Sequence, residues 1–406
     1  MQIPHIVMMF MMMLLFAVLA APIAERLRLP FSALLVLGGF AGSELIVAAG
    51  FDTGLRWFHL HDLIFFVLLP ALIFESALNL DTRLLLRNLI PILILALPLM
   101  LLSAGISALL LYYGIGHPEG FPLIAALLTG ALLSATDPVA VLALFKKINA
   151  PKRLHVIIDG ESLLNDASAI VLFGLILSLA RTDGASFSFF QAFWQFFAVF
   201  FGGIGVGLLT GLLALLLYQI KCSAVVQGSV SVIGAYCAFF VAEELLGVSG
   251  VMAVLVTGLF IGYARRHNPK RYHHFLGELW TFNAYVANAM IFLLMGITVT
   301  AGMFADRWLA MLLGIAAVLA ARAVGIFGMM PLVSRLPGVE PIGIGYQAVM
   351  FWGGLRGAVT LALALSLPLE LEYWYTVQSI AYGVVLFTLL VQAPTIQLLV
   401  KKTRLG

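Results

Sequence analysis

Apolar residues run along this chain in blocks of about 20, the length an α-helix needs to cross a bilayer, and clusters of polar, Gly and Pro residues separate the blocks. Cutting at those clusters predicts thirteen spans, at 5–23, 30–50, 61–80, 89–113, 120–145, 154–180, 188–219, 224–243, 247–264, 277–302, 307–333, 341–367 and 373–400. The blocks are apolar on every face and do not alternate, which excludes the strands of an outer-membrane barrel. The pattern is that of an all-α polytopic membrane protein. Composition agrees: 63% of the 406 residues are hydrophobic and 10% charged, too few charges to cover a soluble globule of this length. No loop is long enough for a soluble domain, so function is expected within the membrane. Cys222 and Cys237 lie in or beside apolar spans and suggest neither a disulfide framework nor a metal cluster.

Charge then orients the spans. Thirteen helices put successive loops on alternating sides. One side receives Arg26, Arg28, Arg83, Arg87, Lys146, Lys147, Lys152, Arg153, Lys221, Arg265, Arg266, Lys270, Arg271, Arg335, Lys401, Lys402 and Arg404. The other receives only Arg56, Arg181 and Arg307, and Arg322 and Arg356 fall inside spans. The positive-inside rule places the N-terminus outside and the C-terminus in the cytoplasm, in the cell (inner) membrane. The first span lacks a basic n-region and reads as a retained helix, not a cleaved signal.

A few charges remain at depth. Glu75, Asp137, Glu161 and Asp166 lie inside predicted spans and Asp159 nearer a cytoplasmic end. Each such charge costs about 2.5–3.5 kcal/mol at a helix centre on insertion scales, so a cluster persists only when paired, hydrated or functional. Two arginines cannot neutralise four carboxylates. If Glu75 and Glu161 take them, Asp137 and Asp166 are left over for a cation path.

Three motifs carry this set. In Ser134-Ala135-Thr136-Asp137-Pro138 the proline removes an amide donor and disfavours helix at the residue before it, so the span should break near its centre. The break exposes carbonyls, amides and the Thr136 hydroxyl where only protein or a water-filled cavity can surround them. In Asp159-Gly160-Glu161-Ser162-Leu163-Leu164-Asn165-Asp166 helical spacing sets Glu161 with Asn165 on one stripe and Ser162 with Asp166 on the next, a single polar face that must look into the bundle. These oxygen donors suit a hard cation such as Na+, and the eight histidines all fall at or near span ends, which argues against a transition metal. Gly353-Gly354-Leu355-Arg356-Gly357 interrupts the twelfth span, seven spans after the Thr-Asp-Pro break. An odd offset reverses direction, so spans 1–6 and 8–13 are expected to be inverted repeats with interrupted helices at matching positions, the mark of a transporter's binding site.

Together, Phe74-Glu75 after Pro70, Thr136-Asp137-Pro138, Gly160-Glu161-Ser162 followed by Asn165-Asp166, Arg322 in Ala-Arg-Ala-Val-Gly, and Gly354-Leu355-Arg356-Gly357 resemble the monovalent cation:proton antiporters of the NhaP and NHE type, over nearly the whole chain. The resemblance implies thirteen helices in two inverted six-helix repeats with discontinuous crossing helices, and a homodimer that keeps pH and sodium in balance. It implies a dimerisation domain from 1–88 and, after a linker helix, within 183–306, and a mobile core domain from 89–182 and 307–406. It implies that Asp166 is the main Na+ and proton carboxylate, with Asp137, Ser162 and the Thr136 carbonyl beside it and Glu161 acting through water. It also implies ion pairs of Glu161 with Arg322 and of Glu75 with Arg356, and electroneutral one-for-one exchange, as is general with Asn-Asp at this position. Asn165 is expected to brace the broken helix. If Asn165→Asp made exchange electrogenic, Asn165 would instead have a direct say in stoichiometry. Many relatives carry a large cytoplasmic C-terminal region, where this sequence stops at Gly406.

Burial disfavours the charged form of a carboxylate, and one that holds either a proton or Na+ but not both suffices for obligate exchange if the bare charged site cannot cross a dry barrier. The expected substrates are Na+ and H+, with Li+ or K+ open because cavity size decides among them; the expected surroundings are lipid, with no cofactor and no nucleic acid. Two other classes stand beside this reading. An uncoupled cation channel would use the same acids, and a current persisting without a proton gradient would favour it. An intramembrane serine protease is suggested by Gly247-Val248-Ser249-Gly250, but no histidine lies at depth to serve as its base.

Overall fold

Each predicted span falls on helix. A computed structural model of the chain describes residues 3–27, 29–48, 62–115, 120–139, 141–142, 145, 152–181, 189–218, 223–268, 274–335 and 342–403. Cys222, Arg28, Arg56, Lys146, Lys147, Lys221, Lys270, Arg271 and Arg404 lie outside the described residues. The helices are α1 (Ile3–Leu27), α2 (Phe31–Ala48), α3 (Ile64–Asn79), α4 (Thr82–Arg87), α5 (Leu89–Gly114), α6 (Leu123–Ser134) and α7 (Lys152–Arg181). They continue with α8 (Phe189–Leu217), α9 (Ala224–Leu245), α10 (Gly250–His267), α11 (Phe275–Thr298), α12 (Ala301–Val333), α13 (Ile344–Trp352), α14 (Ala358–Leu365) and α15 (Trp374–Lys402). Among the described residues eight helices are long and apolar enough to cross a membrane singly. The fifth and twelfth spans are not among them because each is broken into half-helices, as the Thr-Asp-Pro and Gly-Gly-Leu-Arg-Gly motifs predict.

Proline shapes several of the long helices. Three π-type turns, Ile64–Leu68, Leu95–Leu99 and Thr388–Gln392, sit beside or around Pro70, Pro98 and Pro394. A proline ring crowds the carbonyl four residues back and offers it no N–H, and widening the turn by one residue relieves both. A fourth such turn, Val241–Leu245, ends α9 at Gly247, whose φ of 62° only glycine adopts readily; the Leu246 and Val248 amides then close on the Val241 and Ala242 carbonyls at 3.1 and 2.8 Å. The helix over 301–333 begins six residues before the predicted 307, and the offset marks a kink: Arg307 has φ −127° and ψ 18°, outside the helical range.

The chain divides into two compact units, Met1–Asp62 with Leu102–Ala150 and Val286–Gly406, and Leu63–Leu101 with Pro151–Tyr285. In the second unit α10 is the central element and its residues Gly250–Gly258 are all buried. It lies between α8 and α3 at near backbone contact. A Cβ on Gly207 of α8 would stand 2.6 Å from the Ala253 carbonyl oxygen, and one on Gly262 of α10 would stand 2.6 Å from the Leu78 carbonyl oxygen. Lipid offers no hydrophobic drive to pair helices, so close approach over small residues supplies the packing instead. In the first unit α12 packs along α15, with Gly383 seated under Met311, and α2 meets α11 where Gly39 and Gly296 face each other.

Candidate functional site

The two interrupted spans meet in the first unit. α6 stops at Ser134 because Ala135 turns extended (φ −58°, ψ 139°), and helix resumes after Pro138, where the Leu142 amide donates to the Pro138 carbonyl at 2.8 Å. Proline suits that first-turn position, since its missing N–H has no helical partner there anyway. Asp137 and Leu355 then form an antiparallel bridge, the Asp137 amide donating to the Leu355 carbonyl at 2.8 Å. This bond ties the two breaks together where they cross.

Helix dipoles explain which charge sits where. The Asp137 carboxylate accepts from the Val139 amide at 3.0 Å and from the Ala358 amide, so it lies at the start of both resumed half-helices, the positive end of each. Arg322, buried, donates from Nε to the Met350 carbonyl at 3.1 Å, in the last turn of α13, the negative end of that half-helix. Anion at N-termini and cation at a C-terminus is the arrangement that stabilises broken helices in a bilayer. The elements approach closely at glycine. A Cβ on Gly357 would overlap the Asp137 carboxylate, and one on Gly354 would overlap the Arg322 guanidinium. Arg356 is 2% exposed, Thr360 at the start of α14 reaches back to the Ala135 carbonyl at 3.5 Å, and Trp352 donates to Thr395 Oγ1 at 2.9 Å, tying the end of α13 to α15.

The second unit carries the predicted polar face of α7. Glu161, Ser162 and Asn165 are 1%, 3% and 2% exposed and Asp166 is half-buried, so the face does look inward. α7 is held by Ser168, whose hydroxyl lies 3.0 Å from the Ala96 carbonyl at the π-type turn of α5, and by Gly160, where a Cβ would come within 2.9 Å of Leu85 and 3.1 Å of Ile92. Glu75 lies one turn from the end of α3 and accepts from Asn79 Nδ2 at 2.6 Å; Arg265 in turn donates to Asn79 Oδ1 at 3.3 Å. Arg266 donates to the Asn79 and Leu80 carbonyls and closes the C-terminus of α3. Sequence reasoning counted Arg265 and Arg266 as orientation signals only and passed over Asn79. The available signal was the Arg-Arg-His ending of α10 beside an α3 that has no terminal glycine.

Of the residues expected at the site, Thr136, Asp137, Arg322 and Arg356 thus belong to the first unit, and Glu75, Glu161, Ser162, Asn165 and Asp166 to the second. The Gly-Val-Ser-Gly motif has a different use. Ser249 is the N-cap of α10, accepting from the Met252 amide at 3.2 Å, and Gly247 is the αL terminator of α9.

A family model described as the transmembrane sodium/hydrogen exchanger matches residues 12–402. The chain belongs to this family. It is 37% identical over 382 residues to the low-affinity Na(+)/H(+) antiporter NhaS1 of Synechocystis, covering 92% of this chain and 69% of NhaS1. It is also 37% identical over 344 residues to the Na(+)/H(+) antiporter ApNhaP of Aphanothece halophytica, covering 84% of this chain and 64% of ApNhaP. The chain therefore spans about two thirds of the length of these relatives. The sodium proton antiporter MjNhaP1 of Methanocaldococcus jannaschii superposes with a TM-score of 0.80 at 21% identity, over 97% of this chain and all of that one. The fold is shared at low identity.

Proposed function

We propose that this protein exchanges Na+ for H+ across the membrane by alternating access, one for one and electroneutrally, as a homodimer with its N-terminus outside and its C-terminus in the cytoplasm. The observation that carries this reading is the crossing of two broken helices, with a carboxylate, Asp137, at the start of both resumed half-helices. A cation path needs such a place, where oxygen ligands are preorganised at depth without lipid contact. Membership of the exchanger family supports it independently. Asp166 is the carboxylate assigned to take either the proton or Na+. Ser162, Asp137 and the Thr136 carbonyl are assigned to the ion, and Glu161 to action through water. Glu161 with Arg322 and Glu75 with Arg356 are the proposed structural ion pairs, and Asn165 the brace of the broken helix.

The mechanism follows from cost. Carrying one bare charge through the dry barrier costs about 2.5–3.5 kcal/mol at least, so only the protonated and the Na+-loaded forms cross, and each return trip carries the other ion. Coupling needs no further device. The test is Asp166→Ala in reconstituted vesicles with the membrane potential clamped, assayed against Na+, K+, Li+ and Ca2+ across pH. Na+-driven proton flux is expected from the parent protein and none from the variant. Undiminished flux from Asp166→Ala would overturn the assignment, and a current persisting without a proton gradient would replace the exchanger by a channel.

A further inference from the structure

In the break between α13 and α14, several main-chain polar groups have partners outside helical geometry. The Leu355 amide donates to the Gly353 carbonyl at 2.8 Å, the Leu355 carbonyl accepts from Asp137, and the Gly357 carbonyl accepts from the Leu361 amide at 3.1 Å as α14 begins. Arg356 differs. Its amide donates to the Thr388 hydroxyl at 3.3 Å, and its carbonyl lies 3.1 Å from the same oxygen, within reach of the hydroxyl proton. Both main-chain groups of the buried arginine therefore go to one side chain of α15.

Threonine inside a helix ordinarily bonds back to a carbonyl of its own preceding turn, and Thr388 also lies 2.8 Å from the Val385 carbonyl. Back-bonding alone would make it a helix residue like any other. Two features set it apart: its lone pair receives the Arg356 amide from another element, and its single proton has two carbonyls in reach, one in its own helix and one in the break. Thr388 is 1% exposed, and it opens the π-type turn beside Pro394.

We infer that Thr388 is a positioning residue for ion binding: its hydroxyl holds the Arg356 peptide, which holds the Leu355 carbonyl on the Asp137 amide, and so fixes the register in which the two broken helices cross. The inference rests on the exchange reading above and extends it to a residue that touches no ion. The test compares Thr388→Val, which keeps the shape and loses the hydroxyl, with Thr388→Ser, which keeps the hydroxyl, in vesicles containing equal amounts of reconstituted protein. Na+ half-saturation and maximal rate are read separately. Thr388→Val is expected to raise the half-saturating Na+ concentration roughly tenfold, the factor for one lost hydrogen bond, and Thr388→Ser to restore it to within about twofold. An unchanged half-saturation with a lower maximal rate would mean loss of folded protein only and would overturn the inference, as would a Thr388→Ser protein no better than Thr388→Val. If Thr388→Val does not assemble, Thr388→Ala is read in its place: raised half-saturation upholds the inference and parental half-saturation overturns it. Absence of exchange from the parent protein would instead sink the exchange reading itself.

Discussion

Replacing Gly357 by alanine tests the crossing directly. The added Cβ would lie 2.5 Å from the Asp137 Cβ, about 0.9 Å short of the 3.4 Å at which ordinary van der Waals contact begins. Rotating the Asp137 side chain moves its carboxylate but not its Cβ, which is fixed to the main chain. The two breaks must therefore part by nearly 1 Å. The Asp137 amide would then stand about 3.7 Å from the Leu355 carbonyl instead of 2.8 Å, beyond hydrogen-bond range. Overpacking of this size costs about 1–3 kcal/mol, and a 1 Å misplacement of binding groups costs on the order of 10²-fold in rate. Gly354→Ala is the internal control. Its Cβ meets the end of the Arg322 side chain, which has torsions to yield with, so the loss should be smaller. The assay is Na+-driven proton flux in vesicles normalised to reconstituted protein, with size-exclusion elution in detergent as the check on assembly. A Gly357→Ala protein that exchanges within twofold of the parent would refute the reasoning, and so would a Gly354→Ala protein that is worse than Gly357→Ala.

Two further outcomes follow from the packing. Gly207→Val on α8 should lower the melting temperature or prevent assembly, because its Cβ would lie 2.6 Å from the Ala253 carbonyl oxygen and 2.7 Å from the Val256 Cβ, and neither is the end of a flexible side chain; a parental melting temperature in detergent would contradict the close α8–α10 contact. Ser249→Ala should cost about 1 kcal/mol through loss of the cap on the Met252 amide and leave exchange within twofold, and a near-complete loss of flux would give Ser249 a chemical role that its position as a cap does not explain.

What the sequence made legible, and what it hid, divides by range. Hydrophobic run length locates each span, and proline and glycine locate each break, because both act through the local backbone. Thr136-Asp137-Pro138 and Gly353-Gly354-Leu355-Arg356-Gly357 are readable for that reason, and so is the inward face of Glu161, Ser162 and Asn165, since a polar stripe on an apolar helix has only one direction to point. Partners are another matter. Nothing local says that the Asp137 amide will meet the Leu355 carbonyl, 218 positions on, although two interruptions seven spans apart come close to saying it. Glu75 is a second case. It accepts from Asn79, to which Arg265 also donates, near the C-terminus of α3, and neither partner is marked in the sequence around it. Thr388 was invisible for a third reason. Threonine is common in membrane helices and carries no charge to betray it, and its use depends on a main chain that has left helical geometry 32 residues earlier. A broken helix hands its hydrogen-bonding needs to whichever neighbour is packed against it. Residues that support such a site are therefore to be sought opposite the break and not in its motif.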